Sequence, residues 1–396
     1  MGAPVKVFII AGEVSGDKLG QAVMVGLREL IPDVTFDGVG GPLMQAQGLV
    51  SRFDMTELSL MGLAEIIPQY FHLKRRIAEL AQAVIDTAPD VVLTIDSPDF
   101  CLRVAKLVKA RSDIRTVHYV APTVWAWRPG RAAKMARYID HVLALFPFEP
   151  PYMQAAGMGC DFVGHPVVTD PVASDAQAQA FRQDSGIGNA PLILALPGSR
   201  KGEVTRLADR FGAALRLVLA QKPDARVVVP CAGPVAGMVC DLTADWPGAP
   251  ILVAPGDGAT KRAAFKAADV ALAASGTVSL ELAANGTPMV IAYDMAWVSR
   301  VIISRMLLVD TVTLVNLVSD TRVIPEFIGA KCRPELIAPA VLSVLAAPDS
   351  QQAAMALTMQ RLGQGAEPPG LRAARGVVLV LHRGAGADVG ASGGDI

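Results

Sequence analysis

Charge and cysteine chemistry are both scarce in this sequence, and each shortage excludes functions. Charged residues are 18% of the 396, below the ~25% of ordinary soluble domains. Lysine and arginine total 36 against 37 aspartates and glutamates, a net charge of −1. No global basic field exists to gather nucleic acid. The five cysteines, Cys101, Cys160, Cys231, Cys240 and Cys332, are scattered, with no C-x-x-C pair and no histidine at zinc-ligand spacing. They are expected to be reduced, cytosolic and mostly buried, so a disulfide-stapled fold is excluded and no metal site is expected. No window reaches the ~20 uninterrupted apolar residues of a membrane span; the strongest, Val298 to Val309, is cut by Arg300 and Arg305. The first residues lack a basic stretch followed by a long apolar run, so no targeting segment is expected there. G-x-G-x-x-G is missing after the first apolar run, which counts against a nicotinamide enzyme. No Walker A loop occurs, which disfavours ATP hydrolysis.

Apolar residues, by contrast, are 52% of the chain. That richness fits parallel sheets buried on both faces, and it also fits an exposed apolar patch facing a membrane. Short β-branched runs alternate with amphipathic stretches: Val5 to Ala11, Val91 to Ile95, Thr116 to Val120 and His141 to Leu145, then, after Pro166, Leu192 to Leu196, Arg226 to Val229, Ile251 to Val253, Val270 to Ala273 and Met289 to Ala292. The alternation predicts an α/β fold of two doubly wound domains. We place them at 1–168 and 169–345, followed by C-terminal helices over 346–383 and a disordered tail over 384–396. The Pro- and Gly-bearing stretch from Pro166 to Gly188 is the expected linker.

Five strand-end segments could carry chemistry. Ala11-Gly12-Glu13-Val14-Ser15-Gly16-Asp17 follows the first strand and opens a helix, where small residues let a ligand approach; alternatively Ser15 or Asp17 only caps that helix. Ile95-Asp96-Ser97-Pro98 ends an apolar strand in an acid, at the edge where open sheets bind ligands. Asp96 is therefore a candidate general base, with a helix-capping role for Asp96 or Ser97 as the alternative. His118 to Arg128 holds Trp125, Trp127 and Arg128, with Arg131 following; it reads either as a sugar or phosphate contact or as a packed aromatic loop, with His118 a core residue. Gly198-Ser199-Arg200 and Ser275-Gly276-Thr277 each follow a strand and precede a helix, so their amides and the arginine could cradle phosphates, while Glu281 could hold ribose hydroxyls. Ser275 or Thr277 is expected to cap its helix. An apolar stretch from Leu58 to Phe71, followed by Lys74, Arg75 and Arg76, suits either a lipid surface or a buried helix with a solvated end.

Taken in order, A-G-E-V-S-G-D, G-V-G-G-P-L-M, L-M-G-L-A-E-I-I-P, I-D-S-P-D-F, H-Y-V-A-P-T-V-W-A-W-R, F-P-F-E, F-V-G-H-P, L-P-G-S-R-K-G-E-V and A-S-G-T-V-S-L-E resemble the lipid-A-disaccharide synthase family from about residue 7 to 330. The resemblance implies a GT-B glycosyltransferase whose two Rossmann-like domains face each other across a cleft. It implies a metal-independent, cofactor-free, inverting reaction that condenses UDP-2,3-diacylglucosamine with 2,3-diacylglucosamine 1-phosphate to the β-1′,6-linked lipid A disaccharide 1-phosphate, releasing UDP at the cytoplasmic face of the inner membrane of Gram-negative bacteria. Family residues carry over onto Glu13, Asp96, Arg200, Glu281 and Asn316. Asp96 or Glu13 would take the acceptor proton, Arg200 with the amides near Ser199, Ser275 and Gly276 would meet the pyrophosphate, and Asn316 would hold a sugar or phosphate oxygen. The loop around Asn316 reads L-V-N-L where relatives usually have L-P-N, and Gly329 stands where a glutamine is common. The C-terminal helices would pack on the N-terminal domain or on a partner in a swapped homodimer. Another UDP-sugar GT-B enzyme, such as a UDP-N-acetylglucosamine transferase or 2-epimerase, and a non-catalytic UDP-sugar-binding protein are the alternatives.

Overall fold

A computed structural model describes residues 4–58, 63–295 and 306–385. The chain forms two compact units, one comprising residues up to Pro166 together with those from Gly365 onward, the other Val167 to Gln364.

The first unit runs β1 (Lys6–Ala11), α1 (Val14–Leu30), β2 (Thr35–Val39), α2 (Pro42–Ala46), α3 (Leu63–Thr87), β3 (Val91–Ile95), α4 (Pro98–Lys109), β4 (Arg115–Tyr119), α5 (Gly130–Met135), β5 (His141–Ala144), α6 (Pro150–Ala155) and β6 (Gly159–Phe162). Its six strands are parallel, in the order β2-β1-β3-β4-β5-β6. β3 is buried at every position and β1 at all but its first. This is why both read as unbroken apolar runs, because a parallel sheet covered by helices has no solvent face.

The second unit runs α7 (Asp175–Asp184), β7 (Leu192–Leu196), α8 (Lys201–Gln221), β8 (Arg226–Pro230), α9 (Ala236–Thr243), β9 (Ile251–Val253), α10 (Gly258–Ala267), β10 (Val270–Ala273), α11 (Val278–Asn285), β11 (Met289–Tyr293), α12 (Leu314–Ser319), β12 (Glu326–Ile328), α13 (Pro334–Ala346) and α14 (Gln352–Arg361). Its sheet is again six-stranded and parallel, ordered β12-β11-β10-β7-β8-β9. The chain then returns to the first unit as α15 (Pro369–Ala385). The residues read from sequence as one C-terminal helical segment are thus shared between the units.

Two expectations are modified. The stretch Pro166 to Gly188 is not irregular throughout, because its middle, Asp175–Asp184, is α7. Its N-terminus is closed by a capping box in which Ser174 Oγ accepts from the Gln177 amide and Gln177 Oε1 accepts from that of Ser174. Arg182 then ties α7 to the second sheet by donating to Asp269 Oδ2 at 2.6 Å and to the Ala267 carbonyl. The final helix, whose sequence left two partners open, packs against α1 of its own chain. Small residues allow the close crossing: a Cβ on Gly26 would lie 2.9 Å from Ala374 Cβ, and one on Gly370 would lie 2.7 Å from Ala22 Cβ. Arg372 adds a hydrogen bond to the Phe162 carbonyl at 2.7 Å and sits over the Phe162 ring.

No helix among the described residues is long and apolar enough to cross a membrane. Residues 59–62, most of Val298 to Val309 and most of the expected tail lie outside the described residues.

Candidate active site

In a doubly wound sheet, ligands bind outside the carboxyl ends of the strands, where the strand order reverses direction. In the first unit that point lies between β1 and β3, which pair in register from Val7 opposite Val91 to Ala11 opposite Ile95. The residues next in sequence are the segments holding Glu13 and Asp96. Each carboxylate accepts from a serine of the other segment: Ser15 Oγ donates to Asp96 Oδ2 at 3.4 Å, and Ser97 Oγ to Glu13 Oε1 at 3.5 Å. Gly12 makes this approach possible, since a Cβ there would lie 2.7 Å from Ser97 Oγ. Asp96 and Ser97 both have positive φ, 52° and 41°, a left-handed conformation costing about 1–3 kcal/mol per residue outside glycine. The fold holds this strained pair where a ligand-binding edge is expected.

The capping readings do not match this geometry. Ser97 stands at the N-cap of α4 without a side-chain cap bond. Asp17 is buried and faces away from the start of α1; its carboxylate accepts the amides of Gly41, Leu43 and Met44, so it closes the N-terminus of α2. His118 is fully buried, bonds Thr94 Oγ1 at 2.8 Å, and is pushed down to about 3 by burial. It is a neutral core residue. The loop after β4 is anchored by Trp125, whose Nε1 donates to Glu149 Oε1 at 3.3 Å; Glu149 Oε2 also accepts the amides of Leu145 and Phe146. Burial raises the Glu149 carboxyl to about 7 despite these donors. Phe148 meets the Trp125 ring edge-on and stacks on Phe146. The F-P-F-E motif therefore positions the loop that carries Trp127 and Arg128. Trp127 Nε1 donates to Thr123 Oγ1, and the Arg128 guanidinium lies 4.3 Å from the Trp127 ring centroid.

In the second unit the strand order reverses between β7 and β10. A cavity of about 470 Å³ opens there, lined by Gly198, Ser199, Arg200, Glu203, Lys261, Ser275, Gly276, Thr277 and Glu281, with Leu196, Phe265 and Ala274 among its apolar walls. α8 and α11 both begin at this cavity. Two helix N-termini with their open amides favour an anion between them.

The sequence did not reveal how the charged groups pair. Glu203 turns back and accepts both the Ser199 amide and Arg200 Nη1, each at 3.1 Å, so a carboxylate already occupies anion-type contacts of the glycine loop. Glu281 Oε2 accepts from Lys261 Nζ at 2.8 Å, which brings a second cation to the wall. Lys261 lies on α10, and no motif in the sequence signals it. Thr277 does not cap α11 through its side chain; Ser279 Oγ instead bonds the Gly276 carbonyl. Asn316 is not brought to the cavity. It is buried, its Nδ2 donates to Thr311 Oγ1 and the Ile324 carbonyl, and its Oδ1 accepts the Ile324 amide. Its amide is spent on clamping its own loop.

The family model described as lipid-A-disaccharide synthetase matches residues 7–369. A lipid-A-disaccharide synthase of Ruegeria pomeroyi is 66% identical over 383 residues, covering 95% of this chain and 96% of that one. One of Rhodospirillum centenum is 46% identical, with 96% of each covered. Among solved structures, the UDP-GlcNAc 2-epimerase of Neisseria meningitidis bound to UDP-GlcNAc gives a TM-score of 0.59 at 13% identity, covering 96% of this chain and 99% of that one. Acinetobacter baumannii MurG gives 0.55 at 16%, covering 96% and 100%. At such identities these likenesses show only the fold, which is GT-B. The chain belongs to the lipid-A-disaccharide synthase family of glycosyltransferases.

Proposed function

We propose that this chain transfers 2,3-diacylglucosamine from its UDP conjugate to the 6-hydroxyl of 2,3-diacylglucosamine 1-phosphate, giving the β-1′,6 disaccharide 1-phosphate and UDP. The observation that carries the reading is the cavity of the second unit, where two helix N-termini, Arg200 and Lys261 surround a space suited to a nucleoside diphosphate. In a single inverting displacement the acceptor oxygen bonds to the donor C1 while the C1–O bond to the β-phosphate breaks. Asp96 takes the acceptor's hydroxyl proton, with Glu13 orienting the sugar or taking the proton in its place. The electron pair departs onto UDP, and Arg200 with the amides of Ser199, Ser275, Gly276 and Thr277 stabilises the charge developing there. Gly198 keeps the loop close to the phosphates, Glu281 holds the ribose, and Ser15 steadies Asp96. Glu203 must share or yield Arg200 when the diphosphate enters.

Both substrates are lipids, and the exposed Phe71, 80% accessible beside Lys74 and Arg75 on α3, supports contact with an anionic bilayer at the cytoplasmic face of the inner membrane. Incubation of the purified protein with both substrates in detergent and EDTA tests the reading. UDP and disaccharide are expected in equal amounts, with turnover unchanged by chelation. Turnover of unacylated UDP-N-acetylglucosamine alone would instead favour an epimerase.

A further inference from the structure

The first unit carries a groove that neither the strand-end carboxylates nor the nucleotide cavity accounts for. It encloses about 780 Å³ between α4 and α5 and is lined by Arg103 and Lys106 from α4, by Arg128, Arg131 and Lys134, and by Trp127 and Tyr138. Residues three apart on a helix share a face, so Arg103 with Lys106, and Arg131 with Lys134, present paired cations. Five cations line the groove against one carboxylate, Asp99, which is almost fully exposed and pairs with Arg131 at 3.4 Å. Among the described residues no carboxylate pairs with Arg103, Lys106, Arg128 or Lys134. Clustering like charges costs the fold stability and here offsets no internal carboxylate, so the natural counter-charge is a ligand.

Pro98 and Asp99 form the rim, and Pro98 is two residues from Asp96, so by chain geometry the groove begins within about 8 Å of the Asp96 backbone. We infer that this groove binds the anomeric phosphate of the acceptor, a sugar phosphomonoester, and thereby aims the acceptor's hydroxyl at Asp96; this rests on the reading given under Proposed function. The attacking hydroxyl hangs from C5 through C6 and the phosphate from C1, the two carbons that flank the ring oxygen, so the two groups lie about one sugar ring apart, which matches an acid and a cationic groove whose rim is two residues away in the chain. A compact dianion suits Arg and Lys donors converging from two helices. The half-buried Trp127 indole provides an apolar face beside them. A lipid headgroup would need only a flat cationic surface, whereas this one is concave.

The triple variant Arg103→Ser, Lys106→Ser, Lys134→Ser tests the inference, since all three side chains are exposed and lie outside the catalytic set. In detergent micelles the acceptor KM should rise roughly tenfold or more, on the scale of one or two lost charge-assisted contacts, while the donor KM stays within about twofold. A diacylglucosamine lacking the 1-phosphate should be a poor acceptor for the wild type, and the variant should lose most of that discrimination. The single change Lys134→Glu should act in the same direction. An unmoved acceptor KM, or equal losses with and without the phosphate, overturns the inference. So does a variant that loses sedimentation with phosphatidylglycerol-containing vesicles while its acceptor KM is unchanged, because the groove would then serve a headgroup. Calorimetric titration with glucosamine 1-phosphate separates this inference from the reading beneath it. If the wild type makes no disaccharide yet binds this probe at least tenfold more tightly than the variant, the transferase reading fails and the phosphate site stands. If binding is equal, the site fails.

Discussion

The two sheets share one plan and carry opposite chemistry at the same place. Each is a six-stranded parallel sheet whose order reverses next to its first strand, and in each the candidate residues follow the two strands flanking that reversal. In the first unit the loops bring in two carboxylates, and the Asp96-Ser97 backbone is held in a strained left-handed turn. In the second unit the loops bring in helix N-termini and two cations. One topology thus presents carboxylates in one unit and helix N-termini with cations in the other, the division that the proposed reaction needs between proton removal and stabilisation of a leaving anion. The difference lies in a few residues beyond each strand end and not in the sheets.

Exchanging charge at these points breaks the comparison most sharply. Asp96→Asn should lower kcat by about 10²- to 10⁴-fold, the usual contribution of a positioned base, while UDP affinity measured by calorimetry stays unchanged. If Glu13→Gln causes the larger fall, the base is Glu13. Arg200→Ala should reduce kcat/KM for the donor by on the order of 10²- to 10³-fold and leave the acceptor KM nearly unchanged. An equal effect on both substrates would undo the division of labour between the units.

Two further variants separate support from chemistry. Glu149→Ala leaves three buried N–H donors without an acceptor and should destabilise the first unit by about 3 kcal/mol in urea melts. The same group makes stability depend on pH. Its folded-state value of about 7 lies above the ordinary 4.5, so between these pH values the folded chain holds a proton that the unfolded chain has lost. Stability contributed by Glu149 is therefore lost as pH rises from about 4.5 to about 7. The difference in stability between wild type and Glu149→Gln should change with pH in that window and be flat above it. Asn316→Ala should cost the second unit about 2 kcal/mol while moving the donor KM less than threefold; a large KM change would mean that Asn316 leaves its clamp to touch substrate.

The central strands were legible because a strand buried on both faces has no choice but to be apolar throughout. β2, β6 and β12 were not read. All three are edge strands, and they carry Asp37 and Gly38, Asp161, and Glu326 within them. An edge strand is half solvated and has no obligatory pattern. α7 was hidden by composition, since its small and polar residues resemble a linker until the reciprocal Ser174–Gln177 cap is seen. At the sites, the residues abutting strand ends were visible in sequence because position along the chain fixes them. The roles of Glu203, Lys261 and Glu149 were not, because what matters is whom they face: Arg200, Glu281 and Trp125. Lys261 with Glu281 and Glu149 with Trp125 pair between separate elements, which leaves no periodic trace, and Glu203 turns back on the start of its own helix. Asn316 shows the converse, a residue singled out by resemblance whose hydrogen bonds here are all spent within its own loop.

A crystal structure of the protein with bound UDP puts the whole scheme to its most direct test. The diphosphate should lie against Arg200 and the first amides of α8 and α11, with the ribose at Glu281 and the Glu203 carboxylate displaced from Arg200. UDP bound in the first unit, against Glu13 and Asp96, would contradict the assignment of leaving-group and proton chemistry to separate sheets.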